Sequence, residues 1–562
     1  MTTDTPHAAG PFAPFRHRIF LALWVASLFS NFGSLIQGVG ASWLMMSLQA
    51  SPEMVALVSA STSLPIMLFS LLAGAVADVW DRRRLMLLAQ LLMLAVSAAL
   101  ATLSWLDRVT PELLLGCTFL LGCGAALYGP AWQSSVGEQV PREDLAGAVA
   151  LNALGFNLAR SVGPALGGLI VAAAGPQAAF VLNALSYFGL IAVLIGWKRT
   201  EPPRLLPREA LGAAVGAGLR YARLSPRIAV VLFRAFVFGL LAGAIWALLP
   251  LVVRDRLGGG ALSYGLLLGA FGLGAVGGAL LGPRVRVRLS NEAIVAFGSI
   301  VFGLASLVAG LSTTLLLTLP VLAAAGAAWV LTLSTLNVIV QLGSPRWVLG
   351  RTLAVYQTAT FGGLALGSWL WGLAAGAQGL QISLAASGLL LAASALLGRR
   401  LPLPTTEALD VEPAGRGAPR TGLELQPRSG PVVTTIGYRV ATGDVPAFAA
   451  AMRDLSGVRR RNGARHWVLM RDIADPEVWT ERFDSPTWID MLRRRARMTQ
   501  ADSAVQDRAY AFHREEGRPP VRHWLERPPG ALSALETEQP PPPVRAGATD
   551  PLLPAPAQAP RS

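Results

Sequence analysis

The sequence has few charged residues for its length. Among 562 residues, 14% are Asp, Glu, Lys or Arg, whereas an ordinary soluble protein has roughly 25%. Hydrophobic residues make up 53% of the chain, and the mean hydropathy is +0.49. A soluble enzyme and a disordered chain are both excluded, because neither combines so much apolar sequence with so little charge. The composition is typical of a protein that crosses a membrane many times.

A cysteine-rich pattern and an ATP-binding motif are also missing, and we expect no signal peptide. The only cysteines, Cys117 and Cys123, lie in one apolar run and face different directions, so they are interpreted as small apolar side chains. No Gly-x-x-x-x-Gly-Lys-Ser/Thr sequence occurs, so the chain shows no ATP site of its own. The first apolar run is too long for a signal peptide, and we expect a retained helix there. We expect no cofactor and no metal.

Apolar runs long enough to span a bilayer recur through the first 400 residues. A spanning helix needs about 20 apolar residues, and lipid-exposed backbone must satisfy its own hydrogen bonds, which favours helices. Six runs precede a polar break and six follow it. The runs lie at 19–47, 53–77, 85–106, 112–136, 147–174, 177–197, 228–252, 261–282, 293–311, 315–343, 351–375 and 379–397.

The predicted fold is an all-α polytopic membrane protein with 12 transmembrane helices in two six-helix repeats, followed by a small α+β domain of the ferredoxin-like type. The predicted segments are a cytoplasmic N-terminal segment (1–18), the N-terminal half (19–197), a cytoplasmic linker with a short surface helix (198–227), the C-terminal half (228–400), a second linker (401–430), a cytoplasmic α+β domain (431–527) and a disordered Pro-rich tail (528–562).

Positive charge is concentrated on one side of the predicted helices. The connections on one side carry eighteen Lys and Arg residues, from Arg16 to Arg351, whereas those on the other side carry only Arg108, Arg254 and Arg256. Cytoplasmic loops of membrane proteins are enriched in Lys and Arg. We therefore expect a multi-pass protein of the inner cell membrane with both termini in the cytoplasm. The net charge of +14 then reflects topology, and no nucleic acid is expected as a partner.

The two halves repeat each other at a constant offset of 204 residues. One match would be trivial in a chain rich in Gly and Leu, but the offset is shared by several connections. Parallel halves of this kind form many secondary transporters, with the substrate site between them near the midplane. The matching pairs include Gly74 and Gly278, Arg82 and Arg286, Arg84 and Arg288, Pro141 and Pro345, Arg142 and Arg346, Gly163 and Gly367, and Gly168 and Gly372.

A charged cluster follows the second run, and it reads Gly74-Ala-Val-Ala-Asp78-Val-Trp-Asp81-Arg82-Arg83-Arg84. Glycine lets helices approach closely, and an Asp beside several Arg can form ion pairs that hold one conformation. We call Gly74, Asp78, Asp81, Arg82 and Arg83 the charge latch; the alternative is a basic loop that only sets topology. The stretch resembles the loop 2–3 signature of the major facilitator superfamily, Gly-x-Leu-Ala-Asp-Arg-x-Gly-Arg-Lys. It departs from that signature at Val79 and Asp81.

The fifth run places small residues around a proline, at Gly163, Pro164, Gly167 and Gly168. A proline bends a helix, and small residues four apart make a flat packing face. The stretch resembles the Gly-x-x-x-Gly-Pro-x-x-Gly-Gly motif of antiporters in the same superfamily, with Ala159 at the first glycine position. Ordinary helix packing, without any bearing on the direction of transport, is the alternative.

Residues 15–400 as a whole resemble the enterobactin-exporter-like or macrolide-efflux-like branch of this superfamily. The stretches 81–84, 141–145 and 152–168 and the long charged tail carry the resemblance. It implies a secondary active transporter, not an enzyme, that exports a small, partly apolar molecule by alternating access, against protons. A siderophore, a macrolide or another drug would fit. The implied partners are membrane lipid, the small-molecule substrate and protons.

Polar side chains inside the runs are candidates for substrate binding or coupling, because charge at membrane depth is costly. Arg160 could bind an anionic substrate or pair with a carboxylate across the cavity, and the alternative is a structural role. Arg234 lies near the end of its run and could instead extend to the membrane surface. The uncharged candidates, which could equally hold helices together, are Asn31, Gln37, Asn157, Asn337, Gln341 and Gln357.

The middle of the runs lacks acidic residues. Proton antiporters usually exchange protons on a buried carboxylate with a raised pKa. Glu138 and Glu112 come nearest to that position in this chain. The sequence therefore leaves proton coupling to the resemblance and does not identify a residue for it.

The soluble tail shows a β-α-β-β-α pattern, which is ferredoxin-like. It resembles the small dimeric α+β barrels of the antibiotic-biosynthesis-monooxygenase type, which implies an accessory domain that could dimerise. The alternatives are a membrane-anchored monooxygenase-like enzyme, with His466, His513 and His523 as the available histidines, and a transporter-derived sensor. The predicted elements are strands at 432–440, 465–472 and 478–483 and helices at 445–462 and 488–512.

Overall fold

The computed structural model describes residues 12–198, 211–345, 347–404, 414, 417, 419, 421–423 and 425–527. The chain divides into two compact units, which we call the membrane unit and the tail unit. The membrane unit comprises Met1–Ala222, Pro226–Gln341 and Gly350–Thr406. The tail unit comprises Arg223–Ser225, Leu342–Leu349 and Glu407–Ser562.

Long helices build both halves of the membrane unit. The first half contains α1 (Arg18–Ser47), α2 (Pro52–Val79), α3 (Arg82–Trp105), α4 (Pro111–Ser135) and α5 (Leu145–Gly196). A short helix, α6 (Leu211–Arg223), lies in the polar break, where the sequence predicts a surface helix. The second half contains α7 (Pro226–Leu251), α8 (Ala261–Arg288), α9 (Asn291–Leu311), α10 (Leu315–Leu342), α11 (Leu349–Gln378) and α12 (Leu380–Ala393).

Helix α5 accounts for two of the predicted spans. It has 52 residues, and its backbone leaves the helical region at Gly175 (φ 77°, ψ 169°). A glycine adopts this conformation without strain, and Pro176 directly after it cannot donate a backbone hydrogen bond, so the helix breaks here into two arms. The first arm precedes Gly175 and the second arm follows it.

The helical membrane fold predicted from the apolar runs is confirmed. Within the described residues, ten helical stretches are long and apolar enough to cross a membrane. One of the ten includes both arms of α5 and so accounts for two predicted runs. Helix α11, with 30 residues, is not among the ten, but it corresponds to the eleventh predicted run. Each of the twelve predicted runs therefore coincides with a helix or a helix arm.

Polar side chains begin several of these helices. The Asp81 carboxylate accepts the backbone N–H of Arg84 at 2.9 Å at the start of α3. Thr110 caps α4 in the same way, and Ser290 caps α9. Such side chains satisfy backbone N–H groups that have no partner within the helix. Short polar connections can therefore end one helix and begin the next within a few residues.

The tail unit contains the ferredoxin-like α+β fold that the sequence predicts, with one strand more than predicted. Four antiparallel strands form a sheet in the order β2-β3-β1-β4. A buried apolar core that includes Tyr438, Phe448 and Phe483 joins the sheet to the helices. The strands are β1 (Val432–Arg439), β2 (Arg465–Arg471), β3 (Val478–Ser485) and β4 (Val521–Leu525), and the helices are α13 (Val445–Asn462), α14 (Trp488–Ala496) and α15 (Gln500–Tyr510).

The prediction of one long helix over 488–512 is wrong. The chain forms α14 and α15 instead, and the break lies at Thr499. The Thr499 hydroxyl accepts the Asp502 backbone N–H, and the Asp502 carboxylate accepts the Thr499 backbone N–H, at 3.1 and 3.3 Å. This reciprocal cap starts a new helix, and the Thr-x-x-Asp spacing is its sequence signal. Strand β4 was also missed, because its five residues alternate only weakly.

A buried carboxylate organises the interior of the tail unit. Glu481 is fully buried and accepts hydrogen bonds from Arg459 Nε at 3.0 Å, Tyr438 Oη at 2.9 Å and Trp467 Nε1 at 2.8 Å. Burial and the neighbouring Glu481 carboxylate raise the pKa of Tyr438, so the phenol stays protonated and donates. The charge of Glu481 is thus matched by one guanidinium and two neutral donors.

We expect Glu481→Gln to destabilise the tail unit by about 3 kcal/mol, because Arg459 is then a buried cation without a carboxylate. The measurement is hydrogen–deuterium exchange of the β3 amides in the full-length protein, which should become much faster. Asp454→Asn is the control, since Asp454 is exposed and lies 3.9 Å from Arg508. Equal exchange rates in the two variants would contradict the structural role of Glu481.

Candidate substrate pathway between the two halves

The first arm of α5 and α8 are in backbone contact, and this contact joins the two halves. A Cβ atom on Gly168 would lie 2.6 Å from the Ala261 carbonyl oxygen and 2.8 Å from the Gly265 Cα. Two turns away, a Cβ on Gly272 would lie 2.5 Å from the Ser161 Cα, and the Ser161 hydroxyl donates to the Gly272 carbonyl at 3.0 Å. Larger side chains at these positions would separate the helices, so only small residues permit this approach.

The other glycines of the proline motif face a different helix. A Cβ on Gly163 would lie 3.1 Å from the Leu35 side chain of α1, and one on Gly167 would lie 3.0 Å from the Ile36 Cα. Gly163 and Gly167 therefore fit α5 against α1, while Gly168 fits it against α8. The Pro164 carbonyl belongs to the contact with α8, since its oxygen would lie 2.6 Å from a Cβ on Gly265. The motif thus positions α5 between two helices.

Arg160 lies on the same arm of α5, beside the contact with α8. Its guanidinium carbon is 5.9 Å from the centre of the Trp246 ring and 6.0 Å from the centre of the Phe271 ring. Both rings belong to the second half, so Arg160 reaches across the interface. The side chain is half-buried, and none of the Asp and Glu residues that the structure describes forms an ion pair with it. The sequence predicts either an anionic substrate or a carboxylate across the cavity as the partner of Arg160. The described residues include no such carboxylate.

An aromatic cluster extends from Arg160 into the second half. Trp246 and Phe271 meet edge to face, with ring centres 4.9 Å apart. Phe238, Phe302 and Trp329 continue the cluster, with ring centres 5.6–6.4 Å apart. Edge-to-face pairs of this kind add to the apolar burial. Sequence reasoning missed this cluster, because its members come from four helices of the second half.

Helix α2 forms the second contact between the halves. The Ser59 hydroxyl donates to the Trp246 carbonyl of α7 at 2.9 Å. Closer to the end of α2 that precedes Arg82, the hydroxyls of Ser70 and of Thr358 on α11 share a hydrogen bond of 2.9 Å. Gln357 is half-buried and is adjacent to Thr358 on α11. The interface therefore combines the α5–α8 contact with polar contacts of α2.

Gln37 belongs to a buried network inside the first half. Its side-chain oxygen accepts hydrogen bonds from Ser97 at 2.8 Å and from Asn183, which also donates to the Tyr187 hydroxyl at 3.0 Å. These residues connect α1, α3 and the second arm of α5, and Gln37 is only 3% exposed. The described hydrogen bonds of Gln37 therefore lie within the first half and do not include Arg160. The other amide candidates of the first half, Asn31 and Asn157, are half-buried on α1 and α5.

Arg234 forms a part-buried ion pair within the second half. Its Nη1 donates to both carboxylate oxygens of Glu292, at 2.6 and 2.8 Å, and only 4% of the residue is exposed. The same carboxylate accepts the Leu403 backbone N–H at 3.0 Å. The pair therefore connects α7, the start of α9 and the segment that follows α12. Sequence reasoning missed Glu292 as a partner, because 58 residues separate it from Arg234.

The described part of the charge latch connects elements of the first half. Arg82 Nη1 donates to Glu138 after α4 at 2.8 Å. Arg83 donates to the Leu194 and Ile195 carbonyls at the end of α5, at 2.7 and 2.6 Å. A Cβ on Gly74 would meet none of the described atoms within 4 Å, so the described residues show no close approach that requires that glycine. The side chain of Asp78 lies outside the described residues.

The family comparison agrees with this architecture. A sequence profile of the family described as transmembrane secretion effector matches residues 9–529. The chain belongs to the transmembrane secretion effector family, within the major facilitator superfamily. The match includes the sheet of the tail unit as well as the membrane unit. This transmembrane secretion effector is therefore a membrane-embedded, multi-pass transporter of small molecules, and its family and relatives are not enzymes.

Three named relatives align with 49–70% of this chain. Multidrug efflux pump Tap of Mycobacterium tuberculosis is 26% identical over 410 residues, which cover 70% of this chain and 95% of that protein. Enterobactin exporter EntS of Escherichia coli is 27% identical over 364 residues, covering 63% and 85%. The Staphyloferrin A transporter of Staphylococcus aureus is 24% identical over 284 residues, covering 49% and 69%.

Solved structures share the fold of this transmembrane secretion effector. A bacterial homologue of the human lysosomal transporter Spinster, in an inward-facing conformation, superposes with a TM-score of 0.56 at 16% identity, and covers 69% of this chain and 98% of that one. The nucleoside transporter NupG gives a TM-score of 0.53 at 14% identity, with coverages of 68% and 98%. At such identities the likeness shows a common fold alone.

We expect Gly168→Ala to slow transport, because the added methyl group overlaps backbone atoms of α8 and must separate the helices. Overpacking of this kind costs about 1–3 kcal/mol. The measurements are the transport rate and the melting midpoint in detergent. Gly189→Ala is the matched control, since a Cβ there meets nothing within 4 Å. If Gly168→Ala behaves like this control, the backbone contact does not constrain the two halves.

We expect Arg234→Gln to lower the stability of the membrane unit by about 1.5–3 kcal/mol, the usual contribution of hydrogen bonds to a charged group. Transport per folded molecule should change little, because Arg234 holds Glu292 and the segment at Leu403. Melting in detergent, combined with a transport assay, tests both expectations. Arg227→Gln on the same helix is the control, since Arg227 is exposed. A variant that melts normally but does not transport would assign Arg234 to the substrate pathway instead.

Proposed function

We propose that this protein exports a small, partly apolar molecule, such as a siderophore, a macrolide or another drug, by alternating access. The observation that carries the proposal is the interface between the halves, where Arg160 and the Trp246–Phe271 pair lie beside the α5–α8 contact. A substrate at this interface is released when the halves move relative to each other. The efflux and siderophore-export functions of the named relatives support the direction and the substrate range.

The proposed location is the inner cell membrane, with both termini in the cytoplasm. Eighteen basic residues in one set of connections, against three in the other, support this orientation. The described charge-latch contacts, including Arg82 with Glu138, lie at the arginine-rich end. We propose that the charge latch, including Asp78, stabilises one conformation from the cytoplasmic side, and that the Gly163–Gly168 motif sets the path of α5.

We propose that a proton gradient drives export by antiport, with Glu138 as the candidate residue that carries the proton. Glu138 accepts from Arg82 at 2.8 Å, and its side chain is 11% exposed. Protonation would remove the charge that holds Arg82 and would weaken this connection between α3 and the segment after α4. A proton could thereby change the stability of one conformation without a carboxylate in the middle of the membrane.

The tail unit is proposed to be an accessory domain that pairs with a second copy. The core side chains Ile436 and Tyr438 occupy one face of the sheet. Val468, Met470 and Trp524 are 42–51% exposed and alternate with core-facing neighbours, so they lie on the opposite face. An open sheet face with large apolar side chains favours a partner.

A catalytic tail unit is the second candidate, and its histidines give it no support. His466 contacts Asp484, His513 accepts the Arg439 backbone N–H, and His523 contacts Thr434. His466 therefore contacts β3, whereas His513 and His523 contact different residues of β1, and the described contacts do not join the three histidines into one site.

The test is accumulation of candidate compounds in a bacterial host that lacks its own efflux pumps. Expression of the protein should lower accumulation relative to an empty vector, and a protonophore should restore it. A truncation after Thr406 retains the Leu401–Pro404 contacts with Arg234, Glu292 and Asn291 and should still export if the tail unit is accessory. Accumulation that no tested compound lowers would refute export, and efflux that persists without a proton gradient would refute proton antiport.

A further inference from the structure

We propose that the exported molecule carries a negative charge next to a flat apolar group, and that Arg160 and Trp246 bind it. This inference rests on the export function proposed above and narrows its substrate to one chemical class. It follows from three features of the interface. Among the described residues, the Arg160 cation has no carboxylate partner and the Trp246 indole N–H has no acceptor, and aromatic rings lie beside both.

The first feature is the unneutralised charge of Arg160. Arg82 and Arg234, which also lie in the membrane unit, each have a glutamate partner, at 2.8 and 2.6 Å. Arg160 has only the Trp246 and Phe271 rings among the described residues. A charge at membrane depth is costly unless it is paired. Because the described residues provide carboxylates for the other two arginines and none for this one, an anion from outside the chain is the partner that fits.

The second feature is the indole N–H of Trp246. Its Nε1 atom is buried, and it has no hydrogen-bond acceptor among the described residues. A buried donor without an acceptor costs about 1–3 kcal/mol, so most such groups in proteins are paired. Trp246 and Arg160 are both donors, and they are neighbours. A ligand that supplies acceptor oxygens, such as a carboxylate or a phenolate, would satisfy both groups after a small movement of the indole.

The third feature is the aromatic surface. The Trp246 and Phe271 rings already lie against the guanidinium, an interaction worth about 0.5–2 kcal/mol. A flat apolar group could take the place of the guanidinium on these rings while the anionic group binds Arg160. The arginine comes from the first half and the rings come from the second half. Such a ligand would bridge the two halves, which is where alternating access requires the substrate to bind.

The expected discrimination is between anions and cations of similar shape. A cationic ligand would add a second positive charge beside an unpaired arginine, where the low dielectric strengthens repulsion. Carboxyfluorescein and pyronin Y share a xanthene ring system and carry opposite charges, so they separate charge from shape. Their binding to the purified full-length protein in detergent can be followed by fluorescence anisotropy.

We expect the wild-type protein to bind carboxyfluorescein about tenfold more tightly than pyronin Y, equivalent to roughly 1.4 kcal/mol. Arg160→Gln should weaken carboxyfluorescein binding by about the same factor and leave pyronin Y binding unchanged or tighter. Arg160→Lys should retain most of the affinity, because the charge remains. Trp246→Phe keeps a ring and removes the N–H, so it should weaken the anion alone. Arg284→Gln, an equal charge change at an exposed position, should have no effect.

Three outcomes would overturn the inference. These are equal or tighter binding of pyronin Y by the wild-type protein, equal weakening of both dyes by Arg160→Gln, and no binding of carboxyfluorescein. The whole-cell accumulation assay distinguishes these results from a failure of the proposed export function. Efflux of other compounds that Arg160→Gln leaves intact would reject the anionic substrate alone, whereas the absence of any efflux would reject export itself.

Discussion

The backbone contact between α5 and α8 is the constraint on which the rest of the candidate site depends. At Gly168 with Gly265, and again at Ser161 with Gly272, the helices approach so closely that a further methyl group would overlap backbone atoms. Van der Waals contact of this kind is the main attraction available between helices in lipid, since lipid tails remove the hydrophobic driving force. The same contact carries Arg160 across the interface to Trp246 and Phe271 of the second half.

The charged side chains of the membrane unit have distinct roles. Arg83 binds backbone carbonyls at the end of α5, Arg82 pairs with Glu138, and Arg234 pairs with Glu292. These contacts connect helices within one half. Arg160 alone among these four reaches the opposite half, and its described partners are aromatic rings. The pairs within a half hold its helices together, and the proposed ligand-binding role of Arg160 rests on its different location between the halves.

Much of the fold follows from local sequence. The apolar runs, the repeat at an offset of 204 and the small residues around Pro164 predict the helices and their packing faces, because length and spacing are local properties. The site was predicted less completely. The sequence singles out Arg160 as a charged residue inside an apolar run, but its aromatic neighbours come from distant helices. In the tail, the break at Thr499 was missed although its capping signal is local.

The sequence by itself determined the helices of the membrane unit, the repeat at an offset of 204 and the concentration of positive charge in one set of connections, because these depend on composition and order along the chain. Only the tertiary structure decided which polar residues meet. It paired Arg234 with Glu292, put Gln37 into a network with Ser97 and Asn183, and left Arg160 at the interface. The physical reason is that these partners lie far apart in sequence, and helix packing alone brings them within hydrogen-bonding or van der Waals distance.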